Sequence, residues 1–134
     1  MARGDADTIE RVLAYETWAV VGLTANPRRP AYGVARFLQQ HGKRIVPVNP
    51  KAEAVHGEPG YATLADVPFP VDVVDVFRRS SAAGEFADQA MAVGARAVWF
   101  QLGVIDEAAF ARTVESGVPM VMDTCPAIEW RRRT

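Results

Sequence analysis

Mostly apolar runs alternate with amphipathic segments along this chain of 134 residues. The first run, residues 18–23, is almost entirely apolar and shows no polar alternation. Similar runs, rich in β-branched residues, occupy residues 45–48, 71–77, 95–100 and 118–122. Such runs are typical of parallel strands that are buried on both faces of a sheet. The pattern therefore predicts five central strands.

The segments between the runs carry helix signals. Pro30 precedes apolar positions spaced three and four residues apart, which predicts a helix from about Ala31 to Gly42. Equivalent patterns predict helices from Ser80 or Ser81 to Gly94 and from an Asp106 cap to Gly117. A capping-box pattern at Asp7 and Glu10 predicts a short helix at residues 8–15, before the first strand.

The alternation of strands and helices predicts an α/β fold of three layers. Helices should cover both faces of a five-stranded parallel sheet. Right-handed crossovers leave few topologies, and the strand order 3-2-1-4-5 is the one we expect. That order places the ends of strands one and four side by side. The whole chain, 1–134, is predicted to be a single domain, with flexible tails at 1–6 and 131–134.

The loops at the strand ends share one edge of such a sheet, where ligands bind in open α/β folds. These loops contain several arginines and hydroxyl groups, no histidine, and one carboxylate close to a strand end, Asp123. The start of the helix at Ala31 adds a positive dipole end there, which favours a phosphate. The edge is therefore predicted to bind an anion, with no acid–base pair for catalysis.

Several other functions are disfavoured. The first turn has only Gly22 of a dinucleotide-binding glycine pattern and no phosphate-loop lysine, and strand two ends without an acidic residue, so NAD binding is the less favoured reading. A net charge of −1 without a basic face argues against nucleic-acid and membrane-surface binding. One cysteine and two separated histidines predict no metal site. Without a signal peptide or a long apolar run, we expect a cytoplasmic protein.

Asp75 is unusual because it interrupts the apolar run of the third strand. We expect its carboxylate to accept backbone N–H bonds near the end of the sheet, rather than to act in catalysis.

Four separated motifs resemble one known family. The segments GLTANPRRPAYGVARFLQQHGKRIVPVNP, VDVVDVFRR, WFQLGV and DTCPAIEW are similar to the small bacterial and archaeal CoA-binding proteins. That family in turn resembles the N-terminal CoA-binding domain of the succinyl-CoA synthetase α subunit, a nucleotide-binding Rossmann-like domain. The resemblance covers residues 18–130. It implies that coenzyme A, or an acyl-CoA, lies across the carboxyl edge of the strands.

The resemblance also implies roles for particular residues. Residues 24–29 should form the first phosphate loop, residues 48–50 should line the adenosine side, and residues 77–78 should lie beside the ligand, as should Gln101 and Gly103. Thr124 departs from the family pattern, in which an arginine is usual. The candidate ligand-binding residues are Gly22, Thr24, Asn26, Pro27, Arg28, Arg29, Val48, Asn49, Pro50, Phe77, Arg78, Gln101 and Gly103.

These features favour a non-catalytic CoA-binding module. The chain lacks the phosphohistidine domain and the nucleotide-binding partner domain that acyl-CoA synthesis requires in the synthetase. One alternative is a small thiol-dependent enzyme or redox protein that uses Cys125 with CoA as cosubstrate. Another is an interaction subunit that senses acyl-CoA. The sequence carries no signature of a protein partner, and a homodimer stays an open alternative.

Overall fold

The protein forms a five-stranded parallel sheet with helices on both faces, as the sequence predicts. The computed structural model describes residues 3–134. Its strands are β1 (Thr17–Val21), β2 (Arg44–Val48), β3 (Val73–Val76), β4 (Ala97–Phe100) and β5 (Met120–Met122). Its α-helices are α1 (Ala6–Leu13), α2 (Pro30–Gln40), α3 (Ser80–Ala92), α4 (Glu107–Glu115) and α5 (Pro126–Arg132), and Leu64–Asp66 forms one turn of 3-10 helix.

The order of the strands is β2-β1-β3-β4-β5. The predicted order 3-2-1-4-5 is therefore wrong, because β3 lies beside β1 and not beyond β2. The segment that follows β2 folds back along the outer side of β2. Tyr61 N donates to Pro47 O at 3.0 Å, and Asn49 N donates to Tyr61 O at 3.0 Å. The connection then crosses to the other side of β1, where Asp72 N donates to Thr17 O at 3.0 Å.

Pro47 explains why β2 belongs at the edge of the sheet. Proline has no backbone N–H, so it is accepted in a sheet where that donor would face away from a neighbouring strand. The carbonyl of Pro47 points to the outer side, toward Tyr61. Because the N and O atoms of one strand residue point the same way, the missing donor also lies on the outer side. In the predicted order, β2 would have been paired on both sides.

Two apolar layers cover the sheet. One contains side chains from α1, α2 and α5 and includes Trp18 and Trp99, which are fully buried with ring centroids 5.7 Å apart. The other contains side chains from α3, α4 and the segment around Leu64. Since both faces are covered, the polar loops are confined to the ends of the strands. None of the helices in the described range, residues 3–134, is long and apolar enough to cross a membrane.

The chain ends differ from the predicted tails. Arg3 pairs with Met122 in an antiparallel bridge, and α1 begins at Ala6 with Asp5 as its cap, accepting from Thr8 N at 2.8 Å. Residues 1 and 2 of the predicted tail lie outside the described residues. At the other end, the sequence pattern did not indicate α5, which begins after a Cys125 cap and continues to Arg132.

Asp75 lies in β3 between Val20 of β1 and Trp99 of β4, and its side chain is fully buried. Within the described part of the chain, neither of its carboxyl oxygens has a hydrogen-bond partner. The expected backbone N–H bonds are therefore not formed, because β1 and β4 both pair with the backbone of β3 and not with this side chain. Burial raises the pKa of Asp75 well above its usual value, because water no longer stabilises the charged form.

This burial predicts an unusual dependence of stability on pH. Between the unfolded and folded pKa values, the unfolded state releases a proton that the folded state retains. The free energy of unfolding should therefore fall as the pH rises above about 4, by up to about 1.4 kcal/mol per pH unit, until the folded pKa is reached. Asp75→Asn should remove this contribution, as measured by urea unfolding at a series of pH values.

The exposed Asp66 offers a matched control. Asp66→Asn should follow the wild-type curve, whereas Asp75→Asn should diverge from it in slope, whatever its absolute stability. Parallel curves for wild type and Asp75→Asn would show that the carboxyl of Asp75 does not titrate differently in the two states.

Candidate functional site

The corrected strand order places the ends of β1 and β3 side by side at the carboxyl edge. The strand order reverses here, since β2 lies on one side of β1 and β3 on the other. Open α/β sheets bind their ligands in the crevice at such a point. The crevice predicted between strands one and four therefore lies between β1 and β3.

Gly22 allows the chain at the end of β1 to pack closely against the loop that follows β3. Its φ is +94°, and an added Cβ would lie 3.1 Å from Phe77 O and 3.5 Å from Cδ of Arg78. Its N–H donates to Val48 O at 2.8 Å, which joins the end of β1 to the end of β2. Only glycine combines this backbone conformation with such close contact. Arg78 is consequently held at the base of the loop that follows β1.

The loop between β1 and α2 is folded by its own polar side chains. Thr24 Oγ1 accepts from Asn26 N at 3.3 Å, and Asn26 Oδ1 accepts from Arg28 N at 3.0 Å. Arg28 and Arg29 are exposed at the end of this loop. The turn therefore presents two guanidinium groups to solvent at the start of α2.

Helix α2 begins at this loop with Pro30 in its first turn and Arg29 as its cap residue. No side chain among residues 3–134 caps it. Backbone N–H groups at such an end, together with the helix dipole, favour an anion. The positive end of the helix and the nearby arginines fit a phosphate group.

Asn49 connects the loops that follow β1 and β2. Its buried side-chain amide donates to Leu23 O at 2.9 Å and to Glu53 O at 3.0 Å, and its Oδ1 accepts from Glu53 N at 2.8 Å. The side chain of Val48 lies in the core, and Pro50 is exposed. Of the three residues predicted to line the adenosine side, Asn49 thus has its side chain committed to internal bonds.

Glu53 is the polar residue that the sequence did not indicate. Its Oε1 accepts from Ala25 N at 2.7 Å, inside the predicted phosphate loop. Asp123 is therefore not the only carboxylate at this edge. Glu53 stands five positions beyond the end of β2, and no local pattern shows that the chain folds back there.

The loop after β3 contributes Phe77 and Arg78, both half-buried. The guanidinium carbon of Arg78 lies 5.7 Å from the centroid of the Phe86 ring on α3. Arg79 is exposed and occupies the N-cap position of α3. Arg78 is therefore the better placed of the two arginines for a ligand in the crevice.

The loop after β4 is braced from two sides. Gly103 N donates to Asp123 Oδ1 at 2.8 Å, and Ser80 Oγ accepts from Ile105 N at 2.9 Å. Gln101 is buried, with 7% of its surface exposed, and its Oε1 has no hydrogen-bond partner in the described part of the chain. The bonds to Asp123 and Ser80 thus fix this loop at one side of the carboxyl edge.

Cys125 and Thr124 lie after β5. Cys125 is a free cysteine with 7% of its surface exposed, at the cap position of α5. Thr124 O accepts from Trp99 Nε1 at 2.8 Å, and its Oγ1 donates to Glu129 Oε2 at 2.5 Å. Thr124 is therefore buried and bonded to α5.

All thirteen candidate residues lie at or beside the carboxyl edge, but they differ in how far they are exposed to solvent. The candidates that are exposed or half-buried are Thr24, Asn26, Pro27, Arg28, Arg29, Pro50, Phe77, Arg78 and Gly103. Gly22 shapes the crevice, and Val48, Asn49 and Gln101 are buried. Their roles in ligand binding stay predictions.

A parallel α/β sheet with a cation-bearing crevice where the strand order reverses defines a Rossmann-like ligand-binding domain. The chain belongs to the CoA binding domain family, which matches residues 16–131.

Similar proteins come from bacteria and archaea. Uncharacterized protein YneT of Bacillus subtilis strain 168 is 35% identical over 107 residues, which are 80% of this chain and 79% of YneT. A hypothetical protein from Pyrococcus horikoshii OT3 superimposes with a TM-score of 0.89 at 34% identity, over 96% of this chain and 91% of that one. A Thermus thermophilus structure gives 0.88 at 35% identity, covering 96% and 98% of the two chains.

The bonds of Asn49 predict a large loss of stability on truncation. Asn49→Ala removes three hydrogen bonds and leaves the carbonyl of Leu23 without its donor in a buried setting. We expect a loss of about 2 to 4 kcal/mol in the free energy of unfolding, measured by urea denaturation.

Asn26→Ala is the matched control, because the side chain of Asn26 is exposed and accepts one hydrogen bond, from within its own turn. Its cost should stay below about 1 kcal/mol. Similar losses for the two variants would mean that Asn49 does not tie the two loops together.

Proposed function

We propose that this protein binds coenzyme A, or an acyl-CoA, across the carboxyl edge of its sheet as a module without catalysis of its own. The observation that carries the proposal is the position of Arg78 at the base of the loop that bears Arg28 and Arg29. Two exposed guanidinium groups and an uncapped helix start thus lie together at the carboxyl edge, beside the loop that carries Arg78.

Coenzyme A matches this edge because it carries a diphosphate and a 3′-phosphate. Arginine is suited to phosphate because its planar group donates two parallel hydrogen bonds. The diphosphate would lie at the start of α2, with Arg28 and Arg29 beside it and Arg78 contributed by the loop that follows β3. When bound, CoA supplies a thiol that carries acyl groups; the protein residues hold and orient it. Membership of the CoA binding domain family supports this ligand.

The arginines provide the first test, by isothermal titration with CoA. Arg28→Ala, Arg29→Ala and Arg78→Ala should each weaken CoA binding, by about tenfold for a lost charge-assisted contact. Affinity should also fall as salt rises, because exposed charges are screened.

Arg36→Ala is the control, because Arg36 is exposed on α2 but lies beyond its first turn. It should leave the affinity almost unchanged. Titration with NAD and ATP runs alongside. Binding of either nucleotide by a protein that gives no heat with CoA would overturn the proposal.

The thiol alternative has a separate test. Cys125 is largely buried, so a purely binding role for this edge does not need its sulphur. Cys125→Ser should therefore keep the CoA affinity within about twofold. Intact mass spectrometry after exposure to CoA disulfide should show no adduct on the wild type. A stable adduct that dithiothreitol removes would instead favour thiol chemistry.

A further inference from the structure

The loop after β4 carries two exposed apolar side chains, Leu102 and Ile105, with exposed fractions of 59% and 45%. Within residues 3–134, the other large apolar side chains that are as exposed are Val93 and Val114. Those two lie at the ends of α3 and α4, and both helices begin at the carboxyl edge, so their ends lie at the opposite edge of the sheet. Leu102 and Ile105 are therefore the exposed apolar pair on the same edge as the candidate site.

The backbone of this loop is fixed by hydrogen bonds on both sides of the pair. Gly103 N donates to Asp123 Oδ1 at 2.8 Å, and Ile105 N donates to Ser80 Oγ at 2.9 Å. The side chain of Val104, between the two exposed residues, is buried in the core. Single exposed apolar side chains are common on protein surfaces. Here two are held together on a loop whose contact with the core is already made by a third residue.

The apolar pair lies close to the arginine of the loop after β3. β3 and β4 are neighbours in the sheet, so the loops that follow them lie side by side. Ser80, which accepts from Ile105 N, is two residues beyond Arg78. Two residues of extended chain span at most about 7 Å. A ligand whose phosphates lie at the start of α2 and at Arg78 can therefore extend over the end of β3 to the apolar pair.

The charges beside the pair limit the kind of group that it can contact. Residues 97–111, which include the loop and the start of α4, contain no lysine or arginine and two carboxylates, Asp106 and Glu107. Glu107 is paired with Arg3 at 3.2 Å, so that cation is already engaged. A negatively charged group would be repelled here, whereas an apolar group would gain by leaving water against the pair.

We propose that Leu102 and Ile105 contact the acyl group of the ligand. The protein would then bind CoA thioesters of uncharged, apolar acyl groups in preference to free CoA and to thioesters that carry a carboxylate. This inference rests on the proposed binding of CoA and names the class of ligand. The arginines hold the phosphates that all these ligands share, and the apolar pair distinguishes between their acyl groups.

Isothermal titration of the wild type with CoA, butyryl-CoA and succinyl-CoA tests this preference. A methylene group that leaves water completely strengthens binding about fourfold, so a butyryl chain partly covered by two side chains should give about a five- to tenfold advantage over CoA. Succinyl-CoA has the same number of acyl carbons but ends in a carboxylate, and it should bind no better than CoA. The advantage of butyryl-CoA should persist when salt is raised, because it does not depend on charge.

The same titrations are repeated with a double variant, Leu102→Ser with Ile105→Ser. Its preference for butyryl-CoA over CoA should fall to no more than about twofold, because little apolar surface is left for the acyl chain. Val114→Ser is the matched control, since Val114 is an exposed apolar residue at the opposite edge, and it should keep the wild-type preference. Comparing ligands within each protein cancels any effect of the substitutions on the phosphates.

Equal affinities of the wild type for CoA and butyryl-CoA would overturn the inference, as would an undiminished preference in the double variant. Tighter binding of succinyl-CoA than of butyryl-CoA would also overturn it, because a cation would then serve the acyl group. The wild-type comparison needs no variant and therefore does not depend on the folding of the double variant. Failure of the wild type to bind any of the three ligands would instead refute the proposed function.

Discussion

Burial of the parallel sheet on both faces is the constraint on which this structure depends. Strands covered by two apolar layers carry mostly apolar side chains, with Asp75 as the buried exception, so most of the polar groups collect where the strands end. All five strands run in the same direction, and their following loops therefore share one edge. The position of β3 beside β1 then decides which loops meet, and it places Arg78 against the loop that bears Arg28 and Arg29.

The strands and most helices could be predicted from the sequence because apolar runs and caps are local signals. The predicted strand order was wrong because it depends on the path of the connection between β2 and β3, which contains no α-helix and shows no periodic pattern. Pro47 does carry relevant information: a proline in a strand favours an edge, and the predicted order placed that strand between two neighbours. The pairing of Tyr61 with Pro47 and Asn49 then excludes β3 from the outer side of β2. Helix α5 was missed because seven residues are too few to show a period.

In the candidate site, too, some residues could be placed from the local sequence and others only from the folded chain. Arg28 and Arg29 follow a recognisable strand and precede a recognisable helix, so their position at the edge could be predicted. Glu53 could not be found in this way, because its approach to Ala25 depends on the buried amide of Asn49. Asn49 itself was predicted to line the adenosine side of the ligand, and its bonds to two separate loops follow only from the folded chain.

The net charge at the carboxyl edge depends on which carboxyl groups are exposed to water and which are buried. Asp75 lies one residue before the end of β3, close in sequence to Arg78, and an ionised carboxylate there would oppose an anionic ligand. Burial without a partner raises its pKa, which favours the neutral form and removes that opposition. Asp123 is engaged with Gly103 N at the far border. Glu53, by contrast, is exposed, and its carboxylate accepts from Ala25 N in the β1 loop, so it is the carboxylate that an anionic ligand at that loop would meet.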